Sequence, residues 1–213
     1  VDITVLTSKF MYGEEIPNKK YTEIEFFYKY TNKFFKKKST IFFFFKTLEH
    51  IKNSIELLFY LKQHKVNVYH LQWLVIPKFD YFILNIIKLL GVKVVFTAHN
   101  ILPHDSGTKY YKIYNKIYHL VNFIIAHTAT TKNKLELEFN LASSKIIKIE
   151  HGDFNYLNEY NTKRIDIIQK NELSFTMIMF GAVKPYKGLD VLIEALHLID
   201  KSILPYIKLL VVG

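Results

Sequence analysis

Cysteine is absent from the 213 residues. That excludes disulfides, thiolate-bound zinc and a cysteine nucleophile, and makes a reducing compartment the default expectation. No apolar run reaches the roughly 18 to 20 residues that a membrane-crossing helix needs. The stretches Ile41 to Phe45 and Tyr81 to Leu90 are short or carry Lys88. The chain opens on Val1 in a run, VDITVLTS, that reads as a strand, so no signal peptide is expected. Neither GxxxxGKS/T nor GxGxxG occurs, which removes the P-loop ATPase and the usual dinucleotide fingerprint. No GxSxG elbow supports a Ser-His-Asp hydrolase. There is no repeat at solenoid spacing, and low complexity is confined to the KFFKKK and IFFFF patches.

Acidic residues are also few, 19 against 29 basic ones, for a net charge of +10. The excess is uneven: from Lys19 to Lys65 there are eleven Lys against four Glu, a local +7. Such a face can meet nucleic acid, anionic lipid or phosphorylated ligands, and no nucleic-acid-binding module accompanies it.

Half the residues are apolar, enough for a sizeable core. Short β-rich runs alternate with longer periodic segments, the pattern of an α/β fold with a parallel sheet. Val1 to Thr7 and Ile24 to Tyr30 read as strands. Ser39 precedes a helix ending near Gln63, in which Ile41, Phe44, Phe45, Leu48, Ile51, Ile55, Leu58 and Phe59 have the spacing of one buried face. Strand VNVYH and a helix between Pro77 and Gly91 come next, then VKVVFTAHN, a helix over 109–120, NFIIAHT, a helix over 130–141, and KIIKIEHG. Residues 1–154 form a first domain, 155–173 a polar linker, and 174–213 the start of a second domain of one βαβ unit.

Two constellations carry chemistry. Four successive strands end in a histidine, His70, His99, His127 and His151, and strand carboxyl ends in a parallel sheet border one crevice. Strand spacing of about 5 Å argues against a tight metal site, so none is expected, and hydrogen bonding or acid-base work by a rim histidine is the better reading. The second is FGAVKPYKGLD, a strand-to-helix turn in which Lys187 and Gly188 precede a helix, suited to cradling phosphate.

Taken in order, ITVLTS, VYHLQW, FTAHNILPHD, FIIAHT, IIKIEHGDF, FGAVKPYKGLDVLIEAL and LLVVG resemble the retaining glycosyltransferases of the GT-B fold, family-four type. The resemblance implies two Rossmann-like domains, the first on the acceptor side and lacking its first strand, the second binding the nucleotide-sugar. It implies His99 as the catalytic-site histidine, with Asn100, His127, His151 and Gly152 along the cleft. Gly181, Lys184, Lys187 and Gly188 are implied as the donor-phosphate site. Many members carry Arg where this sequence has Ala182, and Lys184 is expected to substitute for it. The paired glutamates that hold donor sugar and ribose would lie beyond Gly213.

The activity implied by the resemblance is transfer of a sugar from a UDP- or GDP-linked donor to a glycan or lipid-linked acceptor, in cell-surface polysaccharide synthesis. No cofactor, metal or nucleic acid is expected. The location implied is cytoplasmic, peripheral on the inner face of the plasma membrane through the basic, Phe-rich segment Lys33 to Lys46. The rivals are a non-catalytic, truncated binding protein and a GT-B nucleotide-sugar epimerase.

Overall fold

Parallel strands joined by helices make up the described residues of a computed structural model, namely 2–8, 20–34, 39–103, 108–152, 175–181 and 183–212. The chain divides into two units, Val1–Gly152 and Asp153–Gly213.

In the first unit, β1 (Thr4–Ser8) and β2 (Thr22–Phe27) pair in parallel as a two-stranded sheet. Strands β3 (Val68–Leu71), β4 (Lys93–Thr97), β5 (Phe123–Ala126) and β6 (Ile146–Lys148) form a four-stranded parallel sheet in sequence order. The expected α/β architecture is present, with the strands of this unit divided between two sheets. Helices α1 (Lys29–Phe34), α2 (Thr40–Gln63), α3 (Pro77–Leu89), α4 (Tyr111–Leu120) and α5 (Ala129–Phe139) link them. Right-handed crossovers that always step to the next neighbour put α3, α4 and α5 on one sheet face. Burial agrees: Val94, Phe96, Ile124, Ala126 and Ile146 are buried with Ile87, Ile117, Tyr118, Leu135 and Phe139. Val68, Phe123 and Ile147 of the alternate register are 40 to 50% exposed.

Local signals set several boundaries. Ser39 Oγ accepts from the Phe42 amide at the start of α2. Pro77 opens α3, and Gly91, with φ of 81°, comes just after its end. Thr128 Oγ1 accepts from the Thr131 amide at α5. Two expectations fail. The strand expected to reach Tyr30 stops at Phe27: Tyr28 turns to a φ of 57°, and the Glu49 carboxylate accepts from the amides of Tyr30 and Thr31 and from the Thr31 hydroxyl, which starts α1 instead. A side chain far along the sequence thus overrides β propensity.

The second correction concerns α2. Its buried residues are Phe42, Glu49, His50, Asn53, Ser54, Leu57 and Leu61. Most of the stripe that the apolar spacing selects faces away: Ile41, Phe44, Phe45, Leu48, Ile55 and Phe59 are 46 to 70% exposed, whereas Ile51 and Leu58 are half-buried, Leu58 against the core. The inner face is mixed: Leu57 and Leu61 join the core, and Glu49, His50, Asn53 and Ser54 make it a joint. The Tyr28 hydroxyl lies 2.9 Å from His50 Nδ1, and His50 Nε2 lies 2.7 Å from Asp80 Oδ1. Asp80 Oδ2 also accepts from the amides of Val75 and Ile76 at the start of α3, while Asn53 Oδ1 accepts from the Tyr28 amide. These contacts tie β2, α1, α2 and α3 together.

The second unit is a βαβ element, β7 (Phe175–Phe180), α6 (Leu189–His197) and β8 (Ile207–Val212), its strands parallel and paired from Phe175↔Ile207 to Phe180↔Val212. The linker expected over 155–173 lies outside the described residues, as do 35–38 of the basic segment.

Candidate functional site

In the first unit the carboxyl edge of the four-stranded sheet carries the histidines. His70 sits within β3, His99 two residues past β4, His127 directly after β5, and His151 three residues past β6. Adjacent parallel strands lie about 4.8 Å apart, so side chains at equivalent ends converge. Ring centroids of His99 and His127 are 5.2 Å apart, of His127 and His151 4.6 Å, and of His99 and His151 6.3 Å. His70 reaches this group indirectly. Its Nε2 lies 2.7 Å from Thr97 Oγ1 and 3.1 Å from Gln72 Nε2, and Gln72 Oε1 accepts from His99 Nε2 at 2.8 Å. The His127 Nδ1–H donates to the Ile149 carbonyl at 2.9 Å. Trp73 stacks on His99, with centroids 4.5 Å apart and planes 9° from parallel.

Burial holds the pKa of His99 below the usual histidine value, and the nearby His127, His151 and His70 add to the depression. His70 is lowered by burial as well. Both are therefore neutral at pH 7, each with one donor and one acceptor nitrogen. Asn100, half-buried, comes after His99 in the same turn, and Gly152 comes after His151 on the exposed side of the rim. The loop is anchored from below, where the fully buried Tyr118 donates its hydroxyl proton to the Ile101 carbonyl at 2.7 Å.

Gln72, Trp73 and Thr97 are site residues that the histidine pattern alone does not pick out. The signal for Gln72 is its i+2 spacing from His70, which puts both on one side of an extended strand. His104 and Asp105 lie outside the described residues. A separate cleft of about 500 Å³, lined by Lys62, Lys65 and Lys93, lies near the amino-terminal ends of β3 and β4, away from the histidines.

The second unit holds the Lys-Gly turn. Gly181, with φ of 112°, ends β7; Pro185–Lys187 makes one 3-10 turn; and Gly188, with φ of 70°, is the N-cap of α6. Both glycines occupy left-handed backbone that a side chain would strain. The ammonium groups of Lys184 and Lys187 lie 5.8 and 5.6 Å from the centre of the Tyr186 ring, so two cations flank one aromatic near a helix start. Helix dipole and ammonium charges there act in the same sense on an anion. Ala182 lies outside the described residues.

The architecture that positions these groups is a Rossmann-like α/β fold with its histidines at the carboxyl edge of a parallel sheet. Solved structures share it, two of them as follows. Anabaena Alr3699/HepE in complex with UDP matches with a TM-score of 0.54 and 13% identity, over 78% of this chain and 54% of that one. A glycosyltransferase from Rickettsia africae matches with a TM-score of 0.51 and 16% identity, over 91% of this chain and 55% of that one. The chain thus spans about half the length of either protein. At such identities the likeness is one of fold. No protein-family model matches the sequence, and no curated protein matches it.

Proposed function

We propose that this chain is the acceptor-side domain and the beginning of the donor-side domain of a retaining glycosyltransferase that uses a UDP- or GDP-linked sugar. The observation that carries the reading is the histidine rim, set at the carboxyl edge of a sheet whose fold matches that of a protein crystallised with UDP. In the reaction, an acceptor hydroxyl oxygen bonds to the anomeric carbon as the bond from that carbon to the diphosphate oxygen breaks. The hydroxyl proton goes to the departing diphosphate on the same face of the sugar, which retains configuration and needs no carboxylate nucleophile. Lys187, with Lys184 in place of the usual arginine, neutralises charge growing on the leaving diphosphate, and Gly181 and Gly188 let the backbone approach it. His99 hydrogen-bonds the transferred sugar or the acceptor, with Asn100, His127, His151 and Gly152 lining the acceptor side. Neither cofactor nor metal enters this step.

A glycan on a lipid carrier is the acceptor class that suits the exposed aromatic face of α2 and the basic charge around it. A role in cell-surface polysaccharide synthesis on the cytoplasmic leaflet accords with that acceptor.

Calorimetric titration of UDP and of GDP into the full-length protein tests the reading. One of the two binds, and Lys187→Ala weakens that binding about tenfold or more, as expected for loss of one charge-assisted contact. Silence towards both nucleotides overturns it.

A further inference from the structure

Strand spacing argues against a metal among the rim histidines, yet their rings reach across that spacing. One ring nitrogen from each of His99, His127 and His151 lies within 4.8 Å of the other two. Two of these rings have their tautomers set from outside the cluster. A carbonyl can only accept, so His127 carries its proton on Nδ1, facing Ile149, and Nε2 is left as a lone pair. That Nε2 is buried and has no hydrogen-bond partner among the described residues. The contact to Gln72 Oε1 places the His99 proton on Nε2 and leaves Nδ1 as the lone pair. Gln72 is itself steadied by its amide contact with His70. Metal-bound histidines are held in this way, the distal N–H donating to a carbonyl or amide oxygen that orients the ring.

We propose that His99, His127 and His151 bind one late first-row divalent cation, with zinc the fitting member, leaving a fourth coordination position open to water or an anionic oxygen. Three imidazoles, with no carboxylate in the group among the described residues, select zinc, cobalt, nickel or copper over magnesium and calcium. A bound cation also gives the buried His127 lone pair a partner. The metal site uses the same rim histidines as the sugar-transfer reading, but the two fail separately, because nucleotide binding is read at the lysine turn and metal binding at the rim.

Trp73 is the only tryptophan and stacks on His99, so its emission reports directly on the site. Cobalt titrated into the whole chain, followed by Trp73 quenching and by visible absorption, should saturate at one equivalent, be displaced by zinc, and ignore excess magnesium. His127→Ala and the exposed His151→Ala should each weaken binding at least about tenfold, and Gln72→Ala, which removes only the outer partner, about tenfold. His64→Ala, on the C-cap of α2, should leave affinity unchanged. Circular dichroism checks that each variant folds. Absence of saturable binding, or an affinity unchanged from that of the unsubstituted chain in the folded His127→Ala and His151→Ala variants, overturns the proposal.

Discussion

Tyr28 shows how much a single residue carries in this chain. It turns the backbone out of β2, donates towards His50 and sits beside the carboxylates of Asp80 and Glu49. Burial, then the negative charge of Asp80 and of Glu49, pushes its pKa from 10.0 up to about 12. The folded chain therefore holds this phenol proton more tightly than the unfolded chain. The stability it contributes is complete below pH 10.0 and is lost as pH rises through about 12. Tyr69, Tyr114 and Tyr118 are raised too, chiefly by burial, and act with the same sign. Denaturant unfolding measured across that alkaline window should show stability falling with pH, and Tyr28→Phe should make the fall shallower. The same variant should cost about 1 kcal/mol at neutral pH through the lost hydrogen bond. An unchanged alkaline slope in the variant would place the effect elsewhere. The histidine rim was legible in sequence because strand ends recur with a fixed residue type. The Tyr28, His50 and Asp80 joint was not, since its members lie 22 and 30 residues apart and no local period links them.

At the scale of elements, α2 teaches the opposite lesson about periodicity. Its apolar period was legible and its orientation was not. Ile41, Phe45, Leu48, Ile55 and Phe59 fall within about 40° of one line on a helical wheel and span about 27 Å along the axis. The face turned to the core sets four polar residues beside Phe42, Leu57 and Leu61, because Glu49 caps α1, His50 meets Asp80 and Asn53 holds Tyr28. Hydrogen bonds decide which face is buried, and a hydrophobicity pattern does not register them. An aromatic stripe in a region of local charge +7 should seat on anionic membrane. Cosedimentation with phosphatidylserine-containing vesicles should be appreciable and salt-sensitive, and weaker with neutral vesicles. Phe44→Glu combined with Phe59→Glu should lower it at least about tenfold, since each buried Phe contributes about 1.5 to 3 kcal/mol. The melting temperature should barely move, as both rings are 61 and 70% exposed. Binding that is insensitive to the double substitution would assign this face another role.

For the whole molecule, the two units differ in kind. Among the described residues, every buried side chain lies between Thr31 and Ile146, in the first unit, and none lies in the second. A single βαβ element cannot cover both faces of its own sheet, so the stability of this chain resides in Val1–Gly152. Differential scanning calorimetry should give nearly the same cooperative transition for the chain and for a version ending at Gly152, while residues 153–213 alone should give none. A cooperative transition from the short piece would show that it is stable by itself. The α/β class and most helix positions were readable from alternating β-rich and periodic segments. The division of the first unit into sheets of two and four strands was not, since strand pairing depends on contacts between segments distant in sequence.

The order β3-β4-β5-β6 has a consequence for how the chain is made. Each strand after β3 pairs with the one synthesised just before it, across one intervening helix. As the polypeptide leaves the ribosome, every new strand finds its docking edge already formed, and the sheet grows in the direction of translation. Completion of β6 then delivers His151 to a rim where His99 and His127 are already in place.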